Sequence, residues 1–396
     1  FFSLGTSGIY KSFGVKQFIY PKIKKENQIN KKKIINYYLN RINSTNDLMK
    51  MKIKDIYIGD LIYDTYLKIY KLPTININSD SFRSFLKDSI ILFLWWHSYF
   101  KKNKKIVKSL ITVHSVYLFG LQARICNHFN IKVYKPSHKS IMEVNKKNTN
   151  HANDAFLNIR HFKKIKDKKY VYEFSKKEIN KIIDGKNLVG KNYSNKIKNR
   201  LNIKTTNNSL KILVVCHSFF DAPHSFGRFF KNDFYEWLCL LGEISKTTNY
   251  TWLIKPHPIT YNEDKVFLNK ILKKYPKLIL IDKKYKNQEI LSSGIDFALT
   301  CFGTVSFEYP FLGIKVINFT KNHPFKNFKF SYTPKNLKYY CRILSNLEKF
   351  DYQFNKKKIL EYYYIKRFIL NVDYMEFKLD PKKDMNGYHL KDFIFE

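Results

Sequence analysis

Apolar and polar positions follow two rhythms along the chain, and the contrast is sharpest between residues 210 and 320. The short apolar runs LKILVVC (210–216), YTWLIK (250–255), KLILI (277–281), IDFALT (295–300) and IKVINF (314–319) read as strands. Between them the spacing becomes helical. DFYEWLCLLGEI (233–244) puts Phe234, Trp237, Leu238 and Leu241 on one face, with Asp233 and Glu236 set as a capping box. A polar helix is predicted from about 262, a short one around Gln288 to Leu291, and another through Phe307. Strands alternating with helices imply right-handed βαβ units and a parallel sheet covered on both faces, so this half is Rossmann-like.

The N-terminal part shows the same habit less regularly. SLITVHS (109–115), a helix through Leu121, Ala123 and Ile125, and IKVY (131–134) make a β-α-β unit, while IKDIYIGDLIYD (53–64) supplies another strand and turn. The chain therefore divides into an α/β domain over 1–150, a helical or linker region over 151–209 rich in Lys and Asn, a Rossmann-like domain over 210–335, and a helical extension over 336–396. In that extension NKKKILEYYYIKRFIL (355–370) is expected to pack back across both domains. No repeat of solenoid period is present.

A length of 396 residues suits two domains, and 44% hydrophobic with 17% aromatic residues can fill both cores. The formal charge of +40, from 72 Lys plus Arg against 32 Asp plus Glu, raises a nucleic-acid reading. The excess is nearly all Lys, spread along the chain with abundant Asn, Ile, Tyr and Phe, as AT-rich codons would produce, and few Arg are available to read bases. A solvated basic surface is the expectation, with attraction to an anionic membrane surface and no specific nucleic acid partner. Five cysteines with no CxxC pair favour reduced thiols in a cytoplasm. The longest apolar run, SIILFLWW from Ser89, is too short to span a bilayer and reads as a core helix. No signal peptide is readable in a sequence that begins at Phe1.

Ligands of open parallel sheets sit beyond the carboxyl ends of the strands, and three segments reach that edge. In TWLIKPHP (251–258), Lys255 and His257 follow the strand with the backbone restricted by two prolines, which suits a phosphate; a strand-ending turn whose His caps a carbonyl reads equally well. In TCFGTVSFEYPFLGIKVI, Gly303 permits a tight turn, Thr304 can cap a helix and offer its hydroxyl, and the N–H groups of Val305 and Ser306 face outward as an anion cradle. Glu308, one turn on, can accept two ribose hydroxyls; the plainer reading is a cap and a dipole-complementing carboxylate. CHSFFDAPHSFGR gathers His217, Asp221, His224 and Arg228 in a polar loop, suited to donor contacts or a hinge, or to turn chemistry at Asp221 and Pro223. His217 and His224 are not at a zinc spacing.

The order H-x-F-x-D-x-P-H, D-F-Y-x-W-L, W-x-I-K-P-H-P, G-T-x-x-x-E resembles bacterial capsule and surface polysaccharide glycosyltransferases of the GT-B type. It is more distantly similar to Kdo- and sialyl-transferases with an HP motif and to CDP-glycerol glycerophosphotransferases. The resemblance is strong over roughly 210–320 and weaker over 53–135, where IGDLIYDTYL and TVHSVYLFGLQAR look like acceptor-domain segments. It implies an α/β, GT-B-like chain whose two Rossmann-like domains face across a cleft. Lys255 and His257 would contact donor phosphate, Gly303 and Thr304 would bind it at the helix terminus, Glu308 would hold the ribose, and His217, Asp221 and His224 would belong to the donor side. The partners implied are a nucleotide-sugar donor and a glycan or lipid-linked acceptor at the cytoplasmic face of the inner membrane. No metal and no cofactor are expected, because helix dipole and cations would stabilise the leaving nucleotide.

The general base would come from the opposite domain. Asp60 ranks first and His114 second, against a turn or cap for Asp60 and a buried, satisfied imidazole for His114; Tyr117 and Arg124 would line the acceptor cleft or merely pack and pair. Three rival readings remain at this level: glycerophosphate transfer from CDP-glycerol, a GT-B-fold sugar-nucleotide epimerase, and a basic nucleic-acid-binding protein whose affinity would fall steeply with salt.

Overall fold

Helices α1 (Lys32–Arg41) and α2 (Thr45–Met49) open the smaller lobe and lead into a hairpin of β1 (Lys52–Ile53) and β2 (Ile56–Tyr57). In this computed structural model the described residues are 14–21, 32–136, 141–145, 160–163, 165–183, 209–282 and 287–368, with single positions 11 and 285. The hairpin loop, Lys54 and Asp55, has φ of 49° and 63°, the sign pattern of a type I′ turn. Helix α3 (Gly59–Tyr70) follows at once. Of the strand and turn expected over 53–64, the strand is the two-residue β2, and Asp60 sits not in a turn but in the first turn of a helix. Gly59 makes this entry possible, since a methyl group there would collide with the Leu48 carbonyl. SIILFLWW lies inside α4 (Asp80–Asn103), whose N-terminus is capped by Ser79 Oγ accepting from Phe82 N.

Strand β3 (Ser109–Ile111), a 3-10 turn (Tyr117–Phe119), α5 (Gly120–His128) and β4 (Lys132–Pro136) form the expected β-α-β unit, and β5 (Ile141–Glu143) pairs antiparallel with β4. Strand β3 lies at the edge of this sheet and stops at Ile111, so His114 belongs to the loop beyond it and does not end the strand.

Helices α6 (Arg160–Lys163) and α7 (Lys168–Ile183) precede the larger lobe, whose strands are β6 (Lys211–Val215), β7 (Thr251–Lys255), β8 (Leu278–Leu280), β9 (Phe297–Thr300) and β10 (Lys315–Asn318). They form one parallel sheet in the order β10-β9-β6-β7-β8. The alternation of side chains explains the apolar runs. Ile212, Val214, Trp252, Ile254, Phe297, Leu299 and Ile317 join the main core on one face, under α8 (Phe234–Thr247), α9 (Asn262–Lys274) and α12 (Leu337–Leu344). Leu213, Leu253, Ala298 and Val316 point the other way, to Ile290 and Tyr309 of α10 (Asn287–Leu291) and α11 (Val305–Phe311). Burying each such aliphatic side chain contributes roughly 1.5–3 kcal/mol, and a strand covered on both faces takes polar residues mainly at its ends, as β7 does at Thr251 and Lys255.

The α8 cap is half as expected: Asp233 Oδ1 accepts from Glu236 N at 2.8 Å, but the Glu236 carboxylate turns to Asn232 instead of closing the box. Helix α13 (Lys356–Phe368) packs through Ile359, Tyr362 and Ile365 on α7, Phe307 and Phe325, all within the larger lobe and its flanking helices. No helix among the described residues is long and apolar enough to cross a membrane. The chain is α/β in class, with a Rossmann-like larger lobe and a smaller α/β lobe seated on it through α3.

Candidate functional site at the carboxyl edge of the sheet

The chain runs from β6 outward to β7 and β8, then crosses back to β9 and β10 on the other side of β6. Connections therefore diverge between β6 and β9, and the crevice at their carboxyl ends is the topological switch point where open α/β sheets take ligands. His217 follows β6 here. Its ring stacks on Phe234, with centroids 4.5 Å apart and planes at 11°, and leans on Phe302 at 4.8 Å. His217 Nε2 lies 3.3 Å from Thr300 Oγ1, and the same hydroxyl accepts from Gly303 N at 3.3 Å. Burial, then the nearby His257, push His217 down to about 3, with Asp221 opposing, so its imidazole is neutral and works as a hydrogen-bonding group and not a cation.

Gly303 is required by this packing. A Cβ there would sit 2.9 Å from Thr300 Oγ1 and 3.7 Å from His217 Cε1. Gly303→Ala is expected to lower stability by about 1–3 kcal/mol through overpacking, read as a fall in the denaturation midpoint at unchanged slope; an unchanged midpoint would show that the turn yields freely.

The KPHP segment splits in two. Lys255 shares the face of Leu253 and buries its ammonium, which donates to Asn287 Oδ1; Tyr309 OH donates to the same oxygen at 2.9 Å. Burial lowers Lys255 to about 8, opposed by Glu308 and Glu289. His257, partly exposed, folds back so that Nδ1 lies 2.9 Å from Ile259 O in a local turn. Both readings of this segment are thus present, on different residues.

At the start of α11 the cradle departs from expectation. Thr304 has helical φ and ψ and makes no side-chain cap. Its hydroxyl bonds instead to Glu308, whose carboxyl burial pushes upward while that bond, Lys366 and Lys255 hold it down. Ser306 N donates to Gly303 O at 3.0 Å and does not face outward.

After His217 the third segment meets the smaller lobe. His224 Nδ1 is 2.6 Å from Asp64 Oδ1 and its backbone N donates to Asp64 Oδ2 at 3.1 Å, both groups buried. Asp221 accepts from Lys68 Nζ at 3.2 Å and from Tyr117 OH at 3.0 Å. The Lys68 ammonium also lies 5.9, 5.9 and 6.0 Å from the rings of Tyr117, Phe220 and Tyr261. Tyr63 OH donates to Asp233 Oδ2 at 2.6 Å, and Arg228 lies over Tyr57 at 6.0 Å. Asp221 and His224, expected on the donor side, both make contacts with the smaller lobe, and Tyr117 meets Asp221 from that lobe. Tyr117 is held at φ 55°, a left-handed conformation costly for a non-glycine residue, where the chain turns to make this contact.

Asp60 and Arg124 form a buried, bidentate ion pair at 2.6 and 2.7 Å. Asp60 Oδ1 also accepts from Leu61 N, and Arg124 Nη1 donates to Tyr57 O. Both carboxylate oxygens are engaged, which argues against the general-base role, and Arg124 lines no cleft. His114 is exposed and not a core histidine; its carbonyl accepts from Thr112 Oγ1.

Sequence reasoning passed over Asp64, Tyr63, Asn287 and Tyr309. Asp64 was within reach: once α3 is a helix, Asp60 and Asp64 stand four residues apart on one face. Among the described residues no three His, Cys, Asp or Glu side chains gather as a metal site.

No family model and no curated protein matches this chain. Among solved structures, the KpsC beta Kdo 2,4 transferase of Thermosulfurimonas dismutans is similar at 12% identity and a TM-score of 0.37, over 61% of this chain and 74% of that one. The UDP-GlcNAc 2-epimerase of Methanocaldococcus jannaschii, in complex with UDP-GlcNAc and UDP, is similar at 12% identity and a TM-score of 0.29, over 76% of this chain and 87% of that one. Both likenesses are remote, and no residue's role transfers at that distance.

Proposed function

We propose that the chain is a glycosyltransferase that takes a nucleotide-sugar donor at the carboxyl edge of the larger sheet. The observation that carries the reading is the meeting of neutral His217, His257 and the Gly303 turn at the switch point, with the Lys255 cation buried beside it. The motif order of the sequence supports the same reading. The donor diphosphate would lie on the Gly303 turn within reach of His257, with the Lys255 charge below it. The exposed Thr304 hydroxyl, committed to Glu308 as a donor, keeps its lone pairs for a ribose hydroxyl. The developing charge on the leaving nucleotide would be stabilised by these fixed donors without a metal. With Asp60 locked, His114 is the candidate base that remains on the smaller lobe, facing a glycan or lipid-linked acceptor.

A thermal-shift series with CMP, CDP, UDP, GDP and their sugar conjugates tests the site. One nucleotide is expected to stabilise the protein by about 2.7 kcal/mol at a hundredfold excess over its dissociation constant, and His257→Ala and Glu308→Ala should each remove most of that gain. Stabilisation by no nucleotide would end the reading. Incubation of the sugar nucleotide without acceptor distinguishes the epimerase, which would turn it over.

Lys255 adds a pH signature. A phosphate needs the protonated amine, and burial holds Lys255 at about 8 in the unliganded protein. Nucleotide affinity is expected to be flat below that value and to weaken as pH rises through it, by up to about tenfold per unit. Calorimetric titrations of the wild type and Lys255→Met across this range check it; the same slope in both would exclude Lys255.

A further inference from the structure

The four most exposed large apolar side chains among the described residues all fall in one span: Ile106 and Val113 at 76%, Ile111 at 72% and Phe119 at 66%. Chance does not favour this clustering, because the chain is rich in apolar residues throughout and buries most of them. The span runs from the end of α4 along edge strand β3 to the 3-10 turn. In the extended segment Ile111 and Val113 flank the buried Thr112, so both leave the sheet on the same side. Just before them stand five lysines, Lys101, Lys102, Lys104, Lys105 and Lys108, all exposed. On the last turns of α4, Trp95 stacks on Tyr99 with centroids 5.6 Å apart and planes at 4°.

Charge sets this edge apart from the generally basic surface. Between Asp88 and Glu143 the sequence holds no carboxylate, although Asp and Glu number 32 in the chain. Lysines that are merely solvated tend to be interspersed with acids, as in the Lys246–Glu243 and Lys315–Asp351 pairs of the larger lobe. Here cations adjoin exposed aliphatic and aromatic groups, and the span itself offers no carboxylate to pair with them. That combination matches an anionic bilayer: apolar side chains enter the headgroup and acyl boundary, aromatic rings lie at its level, and ammonium groups meet lipid phosphates. A nucleic acid would satisfy the lysines and leave Ile106, Ile111 and Val113 in water.

We infer that the edge formed by residues 101–119 docks the protein flat on an anionic membrane surface, with Ile106, Ile111, Val113 and Phe119 inserted and Lys101 to Lys108 on the headgroups. The inference is independent of the sugar donor. It also orients the molecule, since Tyr117 lies in the same span and reaches Asp221 across the lobes, placing the seam between lobes next to the lipid.

The test is co-sedimentation of the protein with vesicles of phosphatidylcholine alone or mixed with phosphatidylglycerol. Binding is expected to need the anionic lipid. Substituting Lys101, Lys102, Lys104 and Lys105 with Gln should weaken it by roughly a thousandfold. I111D/V113D should weaken it by about tenfold or more and remove the part that survives high salt. Both variants change exposed side chains, and an unchanged unfolding midpoint shows that they remain folded. Equal binding by wild type and both variants overturns the proposal, as does loss of all wild-type binding in high salt, which would mark simple charge attraction. Self-association in sedimentation velocity that I111D/V113D abolishes, without vesicle binding, would assign the edge to a second copy of the chain and also overturn it.

Discussion

Asp60→Ala is expected to lower the unfolding free energy by about 3–5 kcal/mol, a large share of a domain's stability. The substitution strands the Arg124 guanidinium in the smaller lobe, with only its bond to Tyr57 O. Arg124 Nε already makes no hydrogen bond among the described residues, so the buried cation has no second partner to turn to. Most of this cost belongs to the unpaired charge and not to the pair itself. The double change Asp60→Leu with Arg124→Met is therefore expected to recover much of the loss, although it removes both ions. Urea unfolding of the three proteins at one pH measures this. Adding Asp60→Asn decides the role of Asp60: a folded, stable Asp60→Asn with abolished turnover would return the carboxylate to catalysis, whereas parallel losses of stability and activity place it in the scaffold.

The second large effect concerns Asp64 and His224. Burial alone would lower the His224 pKa, but the Asp64 carboxylate and its hydrogen bond outweigh it and raise the group above the ordinary 6.5. The sign follows from linkage. A histidine raised on folding lends stability that is fully present below its unfolded pKa and disappears as pH climbs through the higher folded value. Asp64→Asn is thus expected to cost about 3–5 kcal/mol below pH 6.5, where the wild type has a buried cation and anion in contact. The cost should shrink at alkaline pH, where His224 is neutral in both proteins. Unfolding midpoints of the two proteins across this range give the answer. A difference that stays constant with pH would mean that His224 is neutral throughout and only a hydrogen bond is lost.

The larger lobe was legible because four of its strands, β6, β7, β9 and β10, are buried on both faces, which leaves uninterrupted apolar runs such as LVV and WLI in plain view. Shorter elements gave less. At IYIGDLIYD an apolar run serves first a two-residue strand and then a helix, and the sequence does not show where Gly59 lets one become the other. At SLITVHS the apolar pattern outlasts the strand, because Ile111 and Val113 leave the sheet for the surface. The carboxyl-edge segments were found from strand ends alone, since topology puts successive βα loops on one side. The contacts of Asp221 and His224 were illegible for a different reason. Their partners, Lys68 and Asp64, lie more than 150 positions away, and no local pattern announces a contact of that range.

Helix α3 has one further consequence, which is mechanical. Its contacts with the larger lobe grade from dry to wet along its length: Tyr63 and Asp64 meet Asp233 and His224 in the interior, Lys68 meets Asp221 at side-chain exposures of 39% and 58%, and Lys71 meets Glu263 at 51% and 38%. Water competes for the outer pairs and barely reaches the inner ones. A swing of one lobe against the other would therefore start at the Lys71 end and turn about the Tyr63 end, as a door turns on its post. The latch side is salt-sensitive and the post is not, so the angle between the lobes should answer to ionic strength while the pivot stays put.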